Sequence, residues 1–315
     1  MVVSKFGSTL ENVWADSRRC AARSRVLKAS LDRIRLSALA LLIASAVFGL
    51  LSAQLPEMWN PLRILAFLSA AAAAIGAYVT AQALGMGLER EWVLSRSIAE
   101  ALRSEAFRYL ARVDPYASVD RGENDELLSR RAGEYRDRIT LGSFMRLDGE
   151  RLTEGMPQDW VAMDRYLADR IQPQIDFYER RAEQDARSVR SLAAVTIVLG
   201  GVAAVIGAAQ GTYQELKGLG AWIAVLTSVS AAITTYLYAN RLQFLAQSYE
   251  ITAARLRRSV EAWERVPEPD RAARTGEFIA RFEDILLVEN KQWVAEFDKS
   301  SLDGGSGKTP PAEPR

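Results

Sequence analysis

Glu283, Asp284 and Glu289 come closest to an acidic cluster with a chemical use in this chain, and on a helix Glu289 shares a face with Trp293 one turn later. Paired carboxylates can serve as general acid and base, or hold a cation. Here an ion pair to an arginine on a neighbouring helix is the favoured role, with contact to a cytoplasmic partner as the other. Arg255, Arg257 and Arg258 could meet phosphates, but arginines just past an apolar run ordinarily hold that flank in the cytoplasm against acidic lipid. Thr227, Ser230 and Thr234 place hydroxyls on one side of an apolar segment. Such a stripe lines a pore in one reading. In the commoner one it bonds between helices or back to its own backbone. Nothing else points to catalysis. The 315 residues contain no histidine and one cysteine, Cys20, so a histidine triad, a Cys-His pair and a thiolate metal cluster are all excluded. No glycine-rich phosphate loop or metal-ligand spacing occurs, so no cofactor and no metal are expected.

The elements that position these residues are four apolar runs, at 36–55, 64–88, 192–209 and 219–239, none containing Asp, Glu, Lys or Arg. About 18–20 apolar residues span the hydrocarbon layer as a helix, so the runs read as two transmembrane hairpins. The mean hydropathy of −0.06 hides this, because the remainder is rich in charge. Net charge is +1, which offers no footprint for nucleic acid. Small residues four apart in the runs (Ser45 and Gly49, Ala70 and Ala74, Gly200 and Ala204, Ala203 and Gly207) allow close helix packing, within the chain or between copies. Without an intramembrane charge, ion-coupled transport is disfavoured; a pore gated by an apolar constriction remains open.

Arginines crowd the outer flank of every run, whereas the two hairpin connections carry one basic residue each, Arg63 and Lys217. The positive-inside rule therefore places both termini and the middle region in the cytoplasm, and Trp59 and Trp222 near the far interface. The first run follows some 35 mostly polar residues, so no cleaved leader is expected. No proline lies between Pro61 and Pro115 or between Pro173 and Pro267, which predicts that the second and fourth spans continue unbroken to about Val113 and Val266. Apolar seams (Leu88, Trp92, Ser95, Ala99, Leu102, Ala106, Tyr109, Val113; then Leu245, Tyr249, Thr252, Leu256, Val260, Trp263) predict that these extensions pack in a bundle. The segments match at an offset of 153, as in Ser95 with Ser248 and Arg112 with Arg265, so the halves read as a parallel repeat. The expected organisation is a first unit at 1–116, a connector at 117–158, a second unit at 159–300 and a disordered tail at 301–315. Short helices are expected at 127–139 and from Asp159 with a bend at Pro173, a hairpin or loop at 144–154, and an amphipathic helix at 275–299 carrying Phe278, Phe282, Ile285, Leu286, Trp293 and Phe297 on one side.

The stretch from Arg170 to Ala182 (RIQPQIDFYERRA), leading into the third run, resembles the opening of the SLATT family, and that from Phe282 to Trp293 (FEDILLVENKQW) resembles its closing segment. The stretch from Glu100 to Tyr116 (EALRSEAFRYLARVDPY) is similar to the exit helix of another SLATT subtype, so the resemblance covers most of residues 10–300 as two fused units. It implies an all-α membrane protein of four spans in tandem repeat with a cytoplasmic bundle. It further implies a bacterial inner-membrane effector of a conflict or anti-phage system: a signal-gated oligomeric pore, not an enzyme. A nucleotide second messenger would be its direct or indirect trigger, and a nucleotidyltransferase or sensor protein its partner. The alternative is a non-conducting scaffold or sensor that binds partners through its helical extensions.

Overall fold

The computed structural model describes residues 7–54, 61–85, 87–138, 152–213 and 218–303. All regular structure there is helical, with no strand among the described residues. The elements are α1 (Ser8–Gln54), α2 (Pro61–Gly85), α3 (Leu88–Ala111), α4 (Arg121–Arg136), a single turn α5 (Met163–Tyr166) leading through a π turn (Leu167–Ile171) into α6 (Gln172–Thr212), then α7 (Gly220–Ala239), α8 (Leu242–Glu264) and α9 (Glu268–Asp303). Four of these reach the length and apolarity needed to cross a membrane, as expected.

The chain divides into two compact units. One comprises 1–28, 88–179 and 250–315; the other comprises 29–87 and 180–249. The first is a helical bundle built around α3, whose residues Trp92, Ile98, Leu102, Phe107 and Leu110 are all buried. The seam predicted along α3 is inside from Trp92 to Val113, and that on α8 is buried at Thr252, Leu256 and Trp263. Aromatic rings meet edge to face through this core, Trp14 with Phe107 at 5.8 Å, Phe107 with Tyr166 at 6.0 Å and Tyr166 with Phe282 at 6.1 Å. This is the geometry the ring quadrupoles favour.

In the second unit Phe67, Ile197, Val205 and Tyr238 lie exposed, an outward apolar surface suited to lipid. The first hairpin is closed by the Ser69 hydroxyl donating to the Ser45 carbonyl at 2.8 Å, and by Gly76, where a Cβ would stand 3.3 Å from Leu41. A glycine there lets the backbones approach.

The expected unbroken exit helices are overturned. The helix after the second run ends at Gly85 and restarts at Leu88, with Gly87 at φ 62° between them. The helix after the fourth run stops at Ala239, with Arg241 at φ 48°. Proline is only one of the residues that stop helices: Gly87 takes the left-handed conformation at the first break, whereas at the second Arg241 does so, after a right-handed Asn240 whose side chain donates to the Tyr236 carbonyl at 2.8 Å. The helices that are unbroken are instead those approaching the hairpins, α1 and α6. The repeat survives this correction, because α3 and α8 end 153 residues apart, at Ala111 and Glu264.

Three boundaries also differ from expectation. The helix placed at 127–139 starts six residues earlier, because the Asp120 carboxylate caps it by accepting from the Gly122 N–H at 2.8 Å. The helix expected from Asp159 begins at Met163, and Pro173, where a bend is expected, lies in the first turn of α6 directly behind the π turn. A proline ring clashes with the carbonyl four residues back, here Asp169, and the widened π turn contains that residue. Pro269 falls within the first turn of α9, where a missing N–H costs nothing, so that helix begins at Glu268 and runs to Asp303. Most of the 144–154 segment, the tail from 304 on, Trp59, Lys217 and the side chains of Arg63 and Phe297 lie outside the described residues.

Candidate functional site

The unusual chemistry of the first unit is a charge cluster sealed from water. Arg170 is 2% exposed and Glu283 wholly buried. The guanidinium grips the carboxylate through both oxygens, Nε to Oε1 at 2.9 Å and Nη2 to Oε2 at 2.8 Å. The same Nη2 lies 2.7 Å from Glu100 Oε1, and the Tyr166 hydroxyl donates to Glu283 Oε1 at 2.7 Å. The Phe107 ring covers the guanidinium at 5.1 Å. The π turn positions two of these groups, since Arg170 falls inside it and Tyr166 immediately before it. Burial opposes the charge on Arg170, but Glu100 and Glu283 hold its pKa well above the ordinary value. Burial likewise opposes the charge on Glu100, yet Arg170, Arg103 and Arg96 pull its carboxyl below the usual range. Burial and the adjacent Glu283 push the Tyr166 phenol well up. Arg170, Glu100 and Tyr166 are thus each held in one charge state near neutrality, which suits a structural clamp and not proton transfer.

A second buried carboxylate follows two turns along α9. Glu289 accepts from the Tyr178 hydroxyl at 3.1 Å and lies 3.9 Å from Arg96, whose guanidinium covers the Trp293 ring at 4.4 Å. The expected face shared by Glu289 and Trp293 is therefore an inward one. Asp284, by contrast, reaches the surface and pairs with Arg108 at 2.7 Å. Burial raises the pKa of Glu289, against the pull of Arg96 and Tyr178. An acid whose folded pKa is raised stabilises the fold below its unfolded value, and that contribution is lost as pH rises through the folded value. Glu289→Gln should thus gain stability over the parent as pH climbs from 4 to 7. Thermal melting of the detergent-purified protein across that range checks it; a variant that falls behind the parent at pH 7 would show that the Arg96 attraction dominates.

The remaining candidates fall elsewhere. In the fourth span the Thr227 hydroxyl donates to the Ile223 carbonyl at 2.9 Å and Thr234 to the Ser230 carbonyl at 2.9 Å; both residues are exposed, while the Ser230 hydroxyl is buried with no hydrogen-bond partner among the described residues. Of the small residues, Ser45 and Gly49 meet Ser69, Ala203 is buried, and a Cβ on Gly207 would stand 3.8 Å from Ile223. Ala70, Ala74, Gly200 and Ala204 are exposed within this chain. Arg255, Arg257 and Arg258 are exposed on α8, with Arg257 ion-paired to Glu179. Burial pushes the Cys20 thiol up to about 12, so it is inert. No cluster of metal-binding side chains occurs among the described residues.

Sequence reasoning singled out Glu283 and Glu289 but missed Arg170, Glu100 and Tyr166 as their companions. The available signal was Tyr166 and Arg170 standing one helical turn apart, ahead of a proline.

Fold and cluster together define an all-helical membrane protein in which a buried guanidinium–carboxylate clamp organises a helical unit. Residues 166–293 match the family described as SMODS and SLOG-associating 2TM effector domain 1, and the chain carries a SLATT domain there, a two-transmembrane effector domain associated with conflict systems. The match opens on Tyr166 and closes on Trp293, so it includes Arg170, Glu283 and Glu289. Residues 19–124 match a protein family of unknown function, DUF4231, consistent with two fused units. No curated protein and no solved structure matches the chain.

Proposed function

We propose that the protein is a signal-gated effector of the bacterial inner membrane, which assembles as a homo-oligomer and opens a pore that disrupts the membrane barrier. The observation that carries this reading is the match of the second half to a two-transmembrane effector domain in a chain holding four membrane-length helices. Arginine placement supports a topology with both termini cytoplasmic. Four helices packed together enclose little space, which is why a pore calls for several copies. In α1 and α6 the helical backbone is unbroken past Lys28 and Glu179, the last residues before the membrane-type unit, so a change in the bundle has a stiff route to the first and third spans. A defence-system nucleotidyltransferase or sensor would supply the trigger, directly or through a nucleotide.

The second reading is a non-conducting scaffold or sensor. It is favoured by one detail: Thr227 and Thr234 spend their hydroxyl protons on their own helix, which lets them face lipid as readily as water. Single-cell membrane potential after induced expression separates the two. Depolarisation is expected for the pore, reduced several-fold by Ser230→Leu. Unchanged potential with the protein confirmed in the membrane, with and without a co-expressed defence-system nucleotidyltransferase, would remove the pore reading.

A further inference from the structure

The apolar run of α1 begins at Leu36, so Asp32 and Arg35 stand at its entrance, one turn apart on one helix face. Both are half-buried. From Arg35 a groove leads in among the spans, walled by Ala38 and Leu42 of α1, Thr80 of α2, and Ala232 and Tyr236 of α7. Alanines on two facing helices, Ala38 and Ala232, make the depression. The Thr80 hydroxyl donates to the Gly76 carbonyl at 2.8 Å, so this wall asks for no polar guest. The enclosed part of the groove is about 40 Å³. That is room for roughly three water-sized groups, enough for a stretch of hydrocarbon chain and too little for a drug-sized metabolite. The mouth, by contrast, is charged. Arg35 Nη1 donates to Asn240 Oδ1 at 3.5 Å, which ties α1 to the end of α7. The charges of Asp32 and Arg35 both act on the Tyr236 hydroxyl, so carboxylate and guanidinium lie about the same corner of the groove.

We propose that this groove holds one phospholipid with an ethanolamine headgroup, its phosphate on Arg35, its primary ammonium on Asp32 and an acyl chain along Ala38, Leu42 and Ala232. Pockets with a basic residue between spans are sites for lipid headgroups. A guanidinium fork matches phosphate oxygens. A primary ammonium brings N–H donors to a carboxylate, which a quaternary choline lacks. Opposite charges one helical turn apart, about 5–6 Å between Cβ atoms, suit a headgroup whose phosphate and amine are joined by a short two-carbon link. A purely anionic headgroup would meet Asp32 with like charge. Because α1 and α2 form the first hairpin and α7 belongs to the second, the bound lipid is a clasp between the two, all within the membrane-type unit. It holds whether or not the spans conduct.

The test is native mass spectrometry of the full-length protein in detergent, supplied in turn with dioleoyl phosphatidylethanolamine, phosphatidylglycerol and phosphatidylcholine at equal concentration. One phosphatidylethanolamine should be retained per chain, with about tenfold higher affinity than either of the others. Arg35→Gln should weaken its retention about tenfold, since a charge-assisted contact is lost. Asp32→Asn should erase the preference over phosphatidylglycerol. Thr80→Phe, which fills the groove from a half-buried position, should abolish retention while melting as the parent does in lipid-free detergent. Soluble glycerophosphoethanolamine, which has the headgroup and no chains, should not compete. Retention of none of the three lipids, or undiminished retention in Thr80→Phe, overturns the site. Phosphatidylcholine held as well as phosphatidylethanolamine overturns the hydrogen-bonded ammonium, and phosphatidylglycerol held more tightly overturns the role of Asp32. Competition by glycerophosphoethanolamine overturns the part given to the apolar groove. None of these readouts depends on conductance, so a failed pore leaves the lipid site standing, and the reverse.

Discussion

Arg170→Leu should destabilise the protein by roughly 3–5 kcal/mol, the cost of stripping one partner from a buried ion pair. Leucine fills part of the volume, but it leaves Glu283 wholly buried with only the Tyr166 hydroxyl as donor among the described residues, and it takes away the cation that stands 2.7 Å from Glu100. Two desolvated carboxylates would then face each other's field without the charge between them. The loss should depend on pH with a definite sign. In the parent, Glu100 is held below the ordinary carboxylate range, so its contribution is present above the unfolded pKa and disappears as pH falls through the folded one. In the variant the leading attraction is gone, burial prevails, and the carboxyl is driven up. Parent and variant should accordingly differ most near pH 7 and converge toward pH 4. Arg170→Lys keeps the charge but loses the two-pronged grip, and should recover only part of the loss. Adding Glu283→Leu to Arg170→Leu should recover more, because it removes a stranded charge instead of replacing its partner. Thermal melting in detergent measures all of these; an Arg170→Leu variant within 1 kcal/mol of the parent would show that the clamp is dispensable.

What could be read from the residues, and what could not, follows from how far each signal reaches along the chain. The spans were legible because a run of apolar residues is a local property whose length alone decides the matter. The seams on α3 and α8 were legible for the same reason, through a period of three and four. Helix interruptions were misjudged where proline was treated as the only stop: Gly85-Met86-Gly87 and Asn240-Arg241 were in plain view, but glycine and asparagine do not force a stop as proline does, and tertiary packing decides. The clamp was half legible. Glu283 and Glu289 stood out as acidic residues among apolar ones, and an approach-helix arginine was the expected partner. That the arginine is Arg170, and that Glu100 from the other half joins it, depends on pairings 113 and 70 residues apart that no local pattern encodes. That Trp14, Arg103 and Arg170 line one cavity of the first unit was not legible at all, because they come together only through the bundle.

Trp293→Ala should cost about 3–5 kcal/mol as well, for a different reason: it empties a large apolar site. The indole is 1% exposed, meets Trp92 edge to face at 5.8 Å and lies under the Arg96 guanidinium. Lys28 in turn covers Trp92 at 4.8 Å, so the stack continues from α9 through α3 to α1. Alanine removes the ring contact, the cation–π attraction and the cover over Glu289 together. The last effect makes the result diagnostic. If burial is what raises the Glu289 pKa, opening the site to water should return that carboxyl toward its ordinary value, and the pH dependence that Glu289→Gln reveals in the parent should flatten when Trp293→Ala is already present. Trp293→Phe keeps a ring and should cost less, with the pH dependence intact. A Trp293→Ala protein that melts like the parent would mean that the end of α9 is not packed in solution. One that melts lower yet keeps the full Glu289 effect would place the source of that shift in the neighbouring charge of Glu100 instead of in the lid that Trp293 provides.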